Sequence, residues 1–225
     1  MSLFTTLGEK PWLNPSAAME GPLAEIEPWL AARTALRFIM AIVCVLFFLF
    51  IITFLARSQY PDFQALAGQP WQPFSDSSRL WFNTALLAAS SAALQLGVLA
   101  ARRQAGIGVI VWLATGTAFA IAFLLAQLSL WQQLHALGFY VGSNPANSYF
   151  YLLTAVHGLH LLGGLIALSY ISRRLWRRDP LLLLATPLGL CTQYWHFLLG
   201  VWLVVFALLT SEPATINALA AMCGF

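Results

Sequence analysis

Long runs of apolar residues recur along this chain, and each run is about as long as a helix that crosses a lipid bilayer. About 20 consecutive apolar residues, coiled as an α-helix, span a hydrocarbon core of roughly 30 Å. Charged residues avoid these runs and gather between them. The pattern predicts an all-α fold, an integral membrane bundle of five transmembrane helices at about residues 34–56, 80–101, 107–131, 148–170 and 188–210.

The composition is typical of a membrane protein and disfavours a soluble domain or a nucleic-acid-binding protein. Of the 225 residues, 60% are hydrophobic and only 8% are charged, whereas about 25% of residues are charged in soluble domains. The net charge of +3 is small, and most arginines lie in short clusters beside the predicted spans, which is typical of topology signals and not of nucleic-acid binding. Cys44, Cys191 and Cys223 are widely separated and form no CxxC pair, so we interpret them as packing residues.

The basic residues predict the orientation of the chain in the membrane. Cytoplasmic loops carry an excess of lysine and arginine. With a cytoplasmic N-terminus, nine of the eleven basic residues lie on the cytoplasmic side: Lys10, Arg33, Arg37, Arg102, Arg103, Arg173, Arg174, Arg177 and Arg178. We therefore predict that residues 1–33 form a cytoplasmic tail without a cleavable signal peptide, and that residues 211–225 form a periplasmic tail.

Several polar side chains interrupt the apolar runs, where ionisable groups are expensive. His157 and His160 lie in the sequence "HGLHLLGG", and His196 is expected at a similar depth in the fifth span. Gln95 and Gln193, with Asn83 and Thr84, add further groups that a bundle interior would have to satisfy by hydrogen bonding. We interpret the three histidines as a structural polar motif whose neutral rings form hydrogen bonds between helices.

A metal or haem site, or a proton-transfer role, is the alternative for these histidines, because neutral imidazole is a common metal ligand. The five predicted spans contain no aspartate or glutamate to complete a carboxylate-bearing site, which disfavours it. A stand-alone transporter is a further alternative, although the chain shows no internal repeat.

Small residues mark where helices are expected to approach each other closely. Ser90 and Ser91 lie in an alanine-rich span, and Gly158, Gly163 and Gly164 follow one another in the histidine-bearing span. Small side chains allow close packing where lipid supplies no hydrophobic drive between helices. No serine or cysteine stands in a pattern typical of an activated nucleophile. These observations predict a membrane subunit of a larger assembly, without a catalytic centre of its own.

Two segments resemble a known family. Residues 151–168, "YLLTAVHGLHLLGGLIAL", and residues 194–206, "YWHFLLGVWLVVF", closely resemble the last two helices of subunit III of the haem-copper cytochrome c oxidases. Residues 81–97, "WFNTALLAASSAALQLG", are similar to another helix of that family, and the resemblance covers about residues 33–209. The five predicted helices match the short form found in bacteria, since the longer form has seven.

The resemblance implies a multi-pass protein of the bacterial inner membrane that binds no haem or copper itself. Haems and copper are expected in the partner subunits I and II, and subunit III is expected to pack on subunit I, to bind phospholipid and to support proton uptake and stability during turnover. Further respiratory subunits could join the assembly. Subunit III of a quinol oxidase, or the related subunit of a nitric oxide reductase, is an open alternative, as is a three-histidine metalloenzyme.

This chain departs from the family pattern at two positions where many members carry a carboxylate. The fourth position of "QLSLW" is Leu130, and the residue after "YWHFL" is Leu199. A proton-buffering role that depends on those carboxylates is therefore not expected here, whereas roles in helix packing and lipid binding are.

Overall fold

The described part of the chain is helical throughout its regular structure. The computed structural model describes residues 23–60, 63, 78–177 and 180–225. Within these ranges there are six α-helices: α1 (Leu23–Ser58), α2 (Ser78–Arg102), α3 (Gly106–Ala136), α4 (Pro145–Trp176), α5 (Leu181–Thr210) and α6 (Pro213–Met222). Helices α1 to α5 are long and apolar enough to cross a membrane. The prediction of an all-α fold with five spans is confirmed.

The helices are longer than the predicted apolar runs. Charged and polar residues continue α1, α3 and α4, whereas α5 begins earlier with the apolar residues that precede Pro187 inside the helix. Helix α1 begins at Leu23, inside the segment predicted as a tail, and residues 1–22 of that tail lie outside the described residues. The C-terminal segment contains α6, which the apolar pattern did not predict. Pro213 starts this helix with a backbone angle that suits a first turn, and Ile216 and Ala220 are buried one turn apart.

Tight connections join neighbouring helices. Between α2 and α3 the chain turns through Gln104, whose φ of 56° lies in the left-handed region, and the Ala105 N–H donates to the carbonyl of Ala100. The two helices pack side by side as predicted. Asn144 caps the start of α4, because its side chain accepts a hydrogen bond from the Asn147 N–H at 2.8 Å.

Helix α5 lies at the centre of the bundle, against α1, α2 and α4. Its inward residues Trp195, Leu198, Trp202 and Val205 are completely buried. Helix α2 packs along α3, α3 also contacts α4, and α6 rests on α1. Helix α1 is peripheral and leaves a continuous row of bulky apolar side chains exposed: Phe38, Ile42, Val45, Phe48 and Leu49.

Candidate functional site: polar contacts in and on the bundle

A buried hydrogen-bond chain joins three helices at Ser90. The Trp195 indole N–H of α5 donates to the Ser90 hydroxyl at 3.0 Å, and that hydroxyl donates to the Gly116 carbonyl of α3 at 2.7 Å. Ser90 and Trp195 are completely buried. An indole N–H has to find a partner when it is taken out of water, and here one serine supplies it. Ser90 is thus both a small residue at a helix contact and the polar junction of α2, α3 and α5.

The predicted packing glycines differ in what surrounds them. A Cβ on Gly164 would lie 2.6 Å from the Trp195 ring, closer than atoms can approach, so this position requires glycine. A Cβ on Gly158 would make an ordinary contact with Leu124 at 3.7 Å, and one on Gly163 would meet nothing within 4 Å. No residue of the described chain packs closely on Gly163, and its role in close packing stays a prediction. Sequence alone could not separate these glycines, because the direction of each Cβ depends on how α4 is rotated.

His157 lies in an aromatic box in the core. Its ring is completely buried, and neither ring nitrogen has a hydrogen-bond partner among the described residues. Phe123 contacts it edge-on at 6.0 Å between ring centroids, and Trp202 lies tilted against it at 5.1 Å. The predicted hydrogen bond from His157 to another helix is not found in the described structure. Its contacts there are those of a packed aromatic ring.

His160 is satisfied mainly within its own helix. Its Nδ1 lies 2.7 Å from the Val156 carbonyl one turn earlier. Since a carbonyl oxygen can only accept, Nδ1 carries the proton and donates. One weak link to another helix comes from Tyr194, whose hydroxyl donates to the His160 carbonyl at 3.4 Å.

His196 forms the predicted kind of hydrogen bond between helices, but on the surface of the bundle. Its Nε2 lies 3.2 Å from the Gln95 side-chain oxygen, and its Nδ1 bonds the Ser91 hydroxyl. The amide oxygen can only accept, so Nε2–H donates and Nδ1 accepts from Ser91, which is the neutral form of the ring. The side chains of His196, Gln95 and Gln193 are exposed. In the described residues no three His, Cys, Asp or Glu side chains lie close enough together to hold a metal ion.

Asn83 and Thr84 are satisfied inside the bundle, as expected. The Asn83 amide donates to the Gln127 side-chain oxygen at 2.9 Å, and the Thr84 hydroxyl accepts from the Trp202 indole at 3.0 Å. The partners Gln127 and Trp202, like Trp195 above, were not foreseen. Each tryptophan carries an indole N–H that has to find a partner when it is buried, which is the signal that could have marked Trp195 and Trp202. Gln127 takes part through its side-chain oxygen, and its amide nitrogen has no partner among the described residues.

An apolar cavity of about 570 Å³ opens between α1, α4 and α5. Its lining includes Leu36 and Ile39 of α1, Ile166 and Tyr170 of α4, and Leu190 of α5. Gly163 also lines it, which explains why no neighbour approaches that glycine.

A second, polar pocket of about 360 Å³ lies between the N-terminal part of α1, the C-terminal end of α2 and the N-terminal half of α5. Arg33, Arg37 and Arg102 line it together with Thr186 and Gln193. None of the three arginines has an acidic partner among the described residues. Such a concentration of unpaired guanidinium groups favours an anionic ligand such as a phosphate. The sequence predicted these three arginines on the cytoplasmic side of the membrane, but not that they line the same pocket.

Five long apolar helices, with α2, α3 and α5 joined by buried side-chain hydrogen bonds, define a polytopic membrane protein. No protein-family model matches the chain, but curated proteins do. It is 33% identical over 153 residues, covering 67% of the chain and 75% of the relative, to a Mycobacterium bovis protein named "Probable cytochrome c oxidase subunit 3".

Two further relatives agree. A Mycobacterium leprae protein of the same name is 32% identical over 163 residues, covering 72% of the chain and 77% of the relative. "Cytochrome bo(3) ubiquinol oxidase subunit 3" of Pseudomonas aeruginosa is 31% identical over 124 residues, covering 55% and 59% respectively. The chain belongs to the cytochrome c oxidase subunit III family, which confirms the resemblance seen in its motifs.

Proposed function

We propose that this protein is subunit III of a bacterial respiratory haem-copper terminal oxidase, an auxiliary subunit that holds no haem or copper and packs on subunit I, with subunit II in the same complex. The observation that carries the proposal is the relationship to proteins named cytochrome c oxidase subunit 3 over most of the chain. The use of Ser90, Thr84 and Asn83 in helix packing supports a structural role. We place the protein in the bacterial inner membrane by its family and its five apolar helices, and the distribution of arginines supports a cytoplasmic N-terminus and a periplasmic C-terminus.

Phospholipid binding is part of this proposal. The apolar cavity between α1, α4 and α5 suits an acyl chain, and the arginine pocket suits the phosphate of an anionic headgroup. With the N-terminus in the cytoplasm, Arg33, Arg37 and Arg102 face the inner leaflet, and each basic residue near an anionic surface contributes about 1 kcal/mol of attraction. Lipid held here would fill the groove beside the peripheral helix α1.

Support of proton uptake is proposed as an indirect effect. Leu130 and Leu199 stand where many family members carry carboxylates, and neither side chain can bind a proton. This chain would therefore act by holding subunit I and its lipids in place, and not by relaying protons through these two positions.

A quinol oxidase is the second candidate, favoured by the Pseudomonas aeruginosa relative, whose name includes ubiquinol oxidase. The electron donor binds elsewhere in either complex, so the partner subunits have to be identified. The decisive experiment is affinity purification of the tagged chain in mild detergent, followed by a reduced-minus-oxidised visible spectrum. Bands of a-type haem would support the cytochrome c oxidase, and b- or o-type haem alone would favour the quinol oxidase. An intact chain that retains its membrane partners but no haem would overturn the proposal.

Lipid binding is tested on the same complex by native mass spectrometry. The Arg37→Gln and Arg102→Gln substitutions remove charge from the pocket, and Arg103→Gln is the matched control, because Arg103 is exposed beside Arg102 but does not line the pocket. We expect less co-purified anionic phospholipid per complex in the double variant and no change in the control. Equal lipid content in all three preparations would remove the pocket from the proposal.

A further inference from the structure

The two halves of the membrane-spanning part of α1 are held by the bundle to different degrees. In the outer half, residues 43–58, four apolar side chains are buried: Val43, Phe47, Phe54 and Leu55. Phe54 also contacts the Tyr149 ring of α4 at 5.5 Å between ring centroids. In the inner half, residues 30–42, no side chain is buried. Segments with few buried contacts are the least firmly held, so the outer half anchors α1 and the inner half is the part that can move.

Two cavities flank this inner half. The apolar cavity of about 570 Å³, shared with α4 and α5, is lined on α1 by Ala32, Leu36 and Ile39. The arginine pocket of about 360 Å³ is lined on α1 by Arg33 and Arg37. Successive residues of an α-helix are about 100° apart around its axis, so these two sets occupy adjacent faces of α1. Leu190 of α5 lines both cavities, which places the inner half over α5 with a cavity on either side.

Movement of the inner half would be a tilt of the helix and not a bend within it. Residues 30–58 contain no proline or glycine, which are common causes of sharp kinks. Leu36 lies seven residues before Val43, about 10 Å along the helix axis. A tilt about the anchored outer half therefore moves Leu36 sideways, and a shift toward one cavity is a shift away from the other.

The charges in the arginine pocket give this tilt a direction. Arg33 and Arg37 of α1 face the same pocket as Arg102 of α2, and no acidic residue lines it in the described part of the chain. Like charges repel, and more strongly where low-dielectric material borders them. The arginines therefore push the inner half of α1 away from α2 and toward the apolar cavity. A phosphate group bound between the guanidinium groups would remove this repulsion.

We propose that the inner half of α1 is a lever that couples the two cavities. A phosphate group held by Arg33, Arg37 and Arg102 keeps the apolar cavity open, and its release lets α1 close that cavity against α4 and α5. The space around Gly163, where a Cβ would meet nothing within 4 Å, is room into which side chains of α1 can move. Because coupling is reciprocal, filling the apolar cavity strengthens phosphate binding in turn.

This inference deepens the lipid-binding part of the proposed function, on which it rests for the identity of one ligand. An anionic phospholipid supplies the phosphate group in its headgroup, and free phosphate is the other source of the same chemistry. The position of the lever comes from the burial along α1 and from the two cavities beside it.

The test is disulfide crosslinking across the apolar cavity in the full chain, purified by its tag together with its partners. Leu36→Cys is paired with the native Cys191, which lines the same cavity on α5, in a background of Cys44→Ser and Cys223→Ser. Ile39→Cys gives a second pair. Ala35→Cys is the matched control, because Ala35 is exposed and lines neither cavity. Crosslinking rates are compared in bilayer discs of phosphatidylcholine with and without phosphatidylglycerol, and in detergent with and without inorganic phosphate.

We expect phosphatidylglycerol to slow the crosslinking of Leu36→Cys about fivefold or more, the lower end of typical couplings between sites. Ala35→Cys should not crosslink to Cys191 in either lipid. Adding Arg37→Gln and Arg102→Gln should make the rate for Leu36→Cys equal in both lipids. A similar slowing by inorganic phosphate would support the lever with the phosphate group alone as ligand, and slowing only by phosphatidylglycerol would support it with the lipid headgroup as ligand.

A crosslinking rate that neither phosphatidylglycerol nor phosphate changes would overturn the proposal, as would a lipid dependence that survives both arginine substitutions. Anionic lipid that is retained without any effect on crosslinking would overturn the lever and leave lipid binding intact. Phosphate-dependent crosslinking in a preparation that retains no anionic lipid would support the lever and remove the lipid from the proposed function. Both cysteines lie in one chain, so the result does not depend on which partners carry haem.

Discussion

The ring of Trp195 lies directly against Gly164, so closely that a Cβ on that glycine would be 2.6 Å from the ring carbon Cζ3. This contact sets how near α4 can come to the central helix α5. The same indole also holds Ser90 of α2 through its N–H. Trp195 therefore contacts both neighbours of α5. It packs against Gly164 of α4 and forms a hydrogen bond with Ser90 of α2.

Replacing Gly164 with leucine should destabilise the bundle, because Trp195 would have to move. Overpacking of a well-filled core typically costs about 1–3 kcal/mol. Gly163→Leu is the matched control, since Gly163, the residue before Gly164, has open space around it. Thermal unfolding of the purified chain in mild detergent measures both. Equal unfolding temperatures for the two variants would contradict the assigned rotation of α4.

Replacing Ser90 with alanine should also lower stability, since the Trp195 indole loses its partner and the Gly116 carbonyl loses the bond from the serine hydroxyl. Single polar contacts between membrane helices contribute about 0.6 to 2 kcal/mol. Ser129→Ala is the control, because that exposed hydroxyl bonds only its own helix. In a double-mutant cycle with Trp195→Phe, the effects should be non-additive. Fully additive losses would show that the two side chains do not interact.

The Asn83–Gln127 pair predicts a rescue. Asn83→Leu alone removes the only partner that the described structure gives the buried Gln127 side chain. An orphaned buried polar group costs about 1–3 kcal/mol, whereas replacing both partners with apolar residues is nearly neutral. We therefore expect Asn83→Leu with Gln127→Leu to unfold at a higher temperature than Asn83→Leu alone. A double variant less stable than the single one would rule out the pairing of α2 with α3 through these amides.

His157 should tolerate an apolar replacement of similar size. Its ring is packed among Phe47, Phe123 and Trp202, and the described residues offer its nitrogens no hydrogen bond. Volume-conserving core changes usually cost less than about 1.5 kcal/mol, so His157→Leu should remain close to the unsubstituted chain. His157→Ala, which leaves a cavity, should lose about 2 kcal/mol or more. Similar losses for both variants in thermal unfolding would mean that the imidazole nitrogens matter.

Much of the architecture follows from the sequence, since a helix that crosses a bilayer must be long and apolar and must satisfy its backbone internally. The five spans, the close pairing of α2 with α3 and the family motifs could all be predicted on that basis. Helix ends could not, because polar residues continue α1, α3 and α4 without an apolar signal and because α5 continues through Pro187. The short helix α6 shows the same limit, since only Ile216 and Ala220 bury a face.

The roles of individual polar residues depended on the tertiary structure. His157, His160 and His196 look alike in the sequence, yet one is a buried ring without a partner in the described structure, one bonds its own helix, and one bonds α2 on the surface. Gly163 and Gly164 are adjacent, yet only Gly164 meets a neighbour. The sequence determined which segments enter the membrane, because that depends on the summed hydrophobicity of about 20 residues. What each side chain meets depends on the rotation of its helix about its own axis, which is decided only when the helices pack.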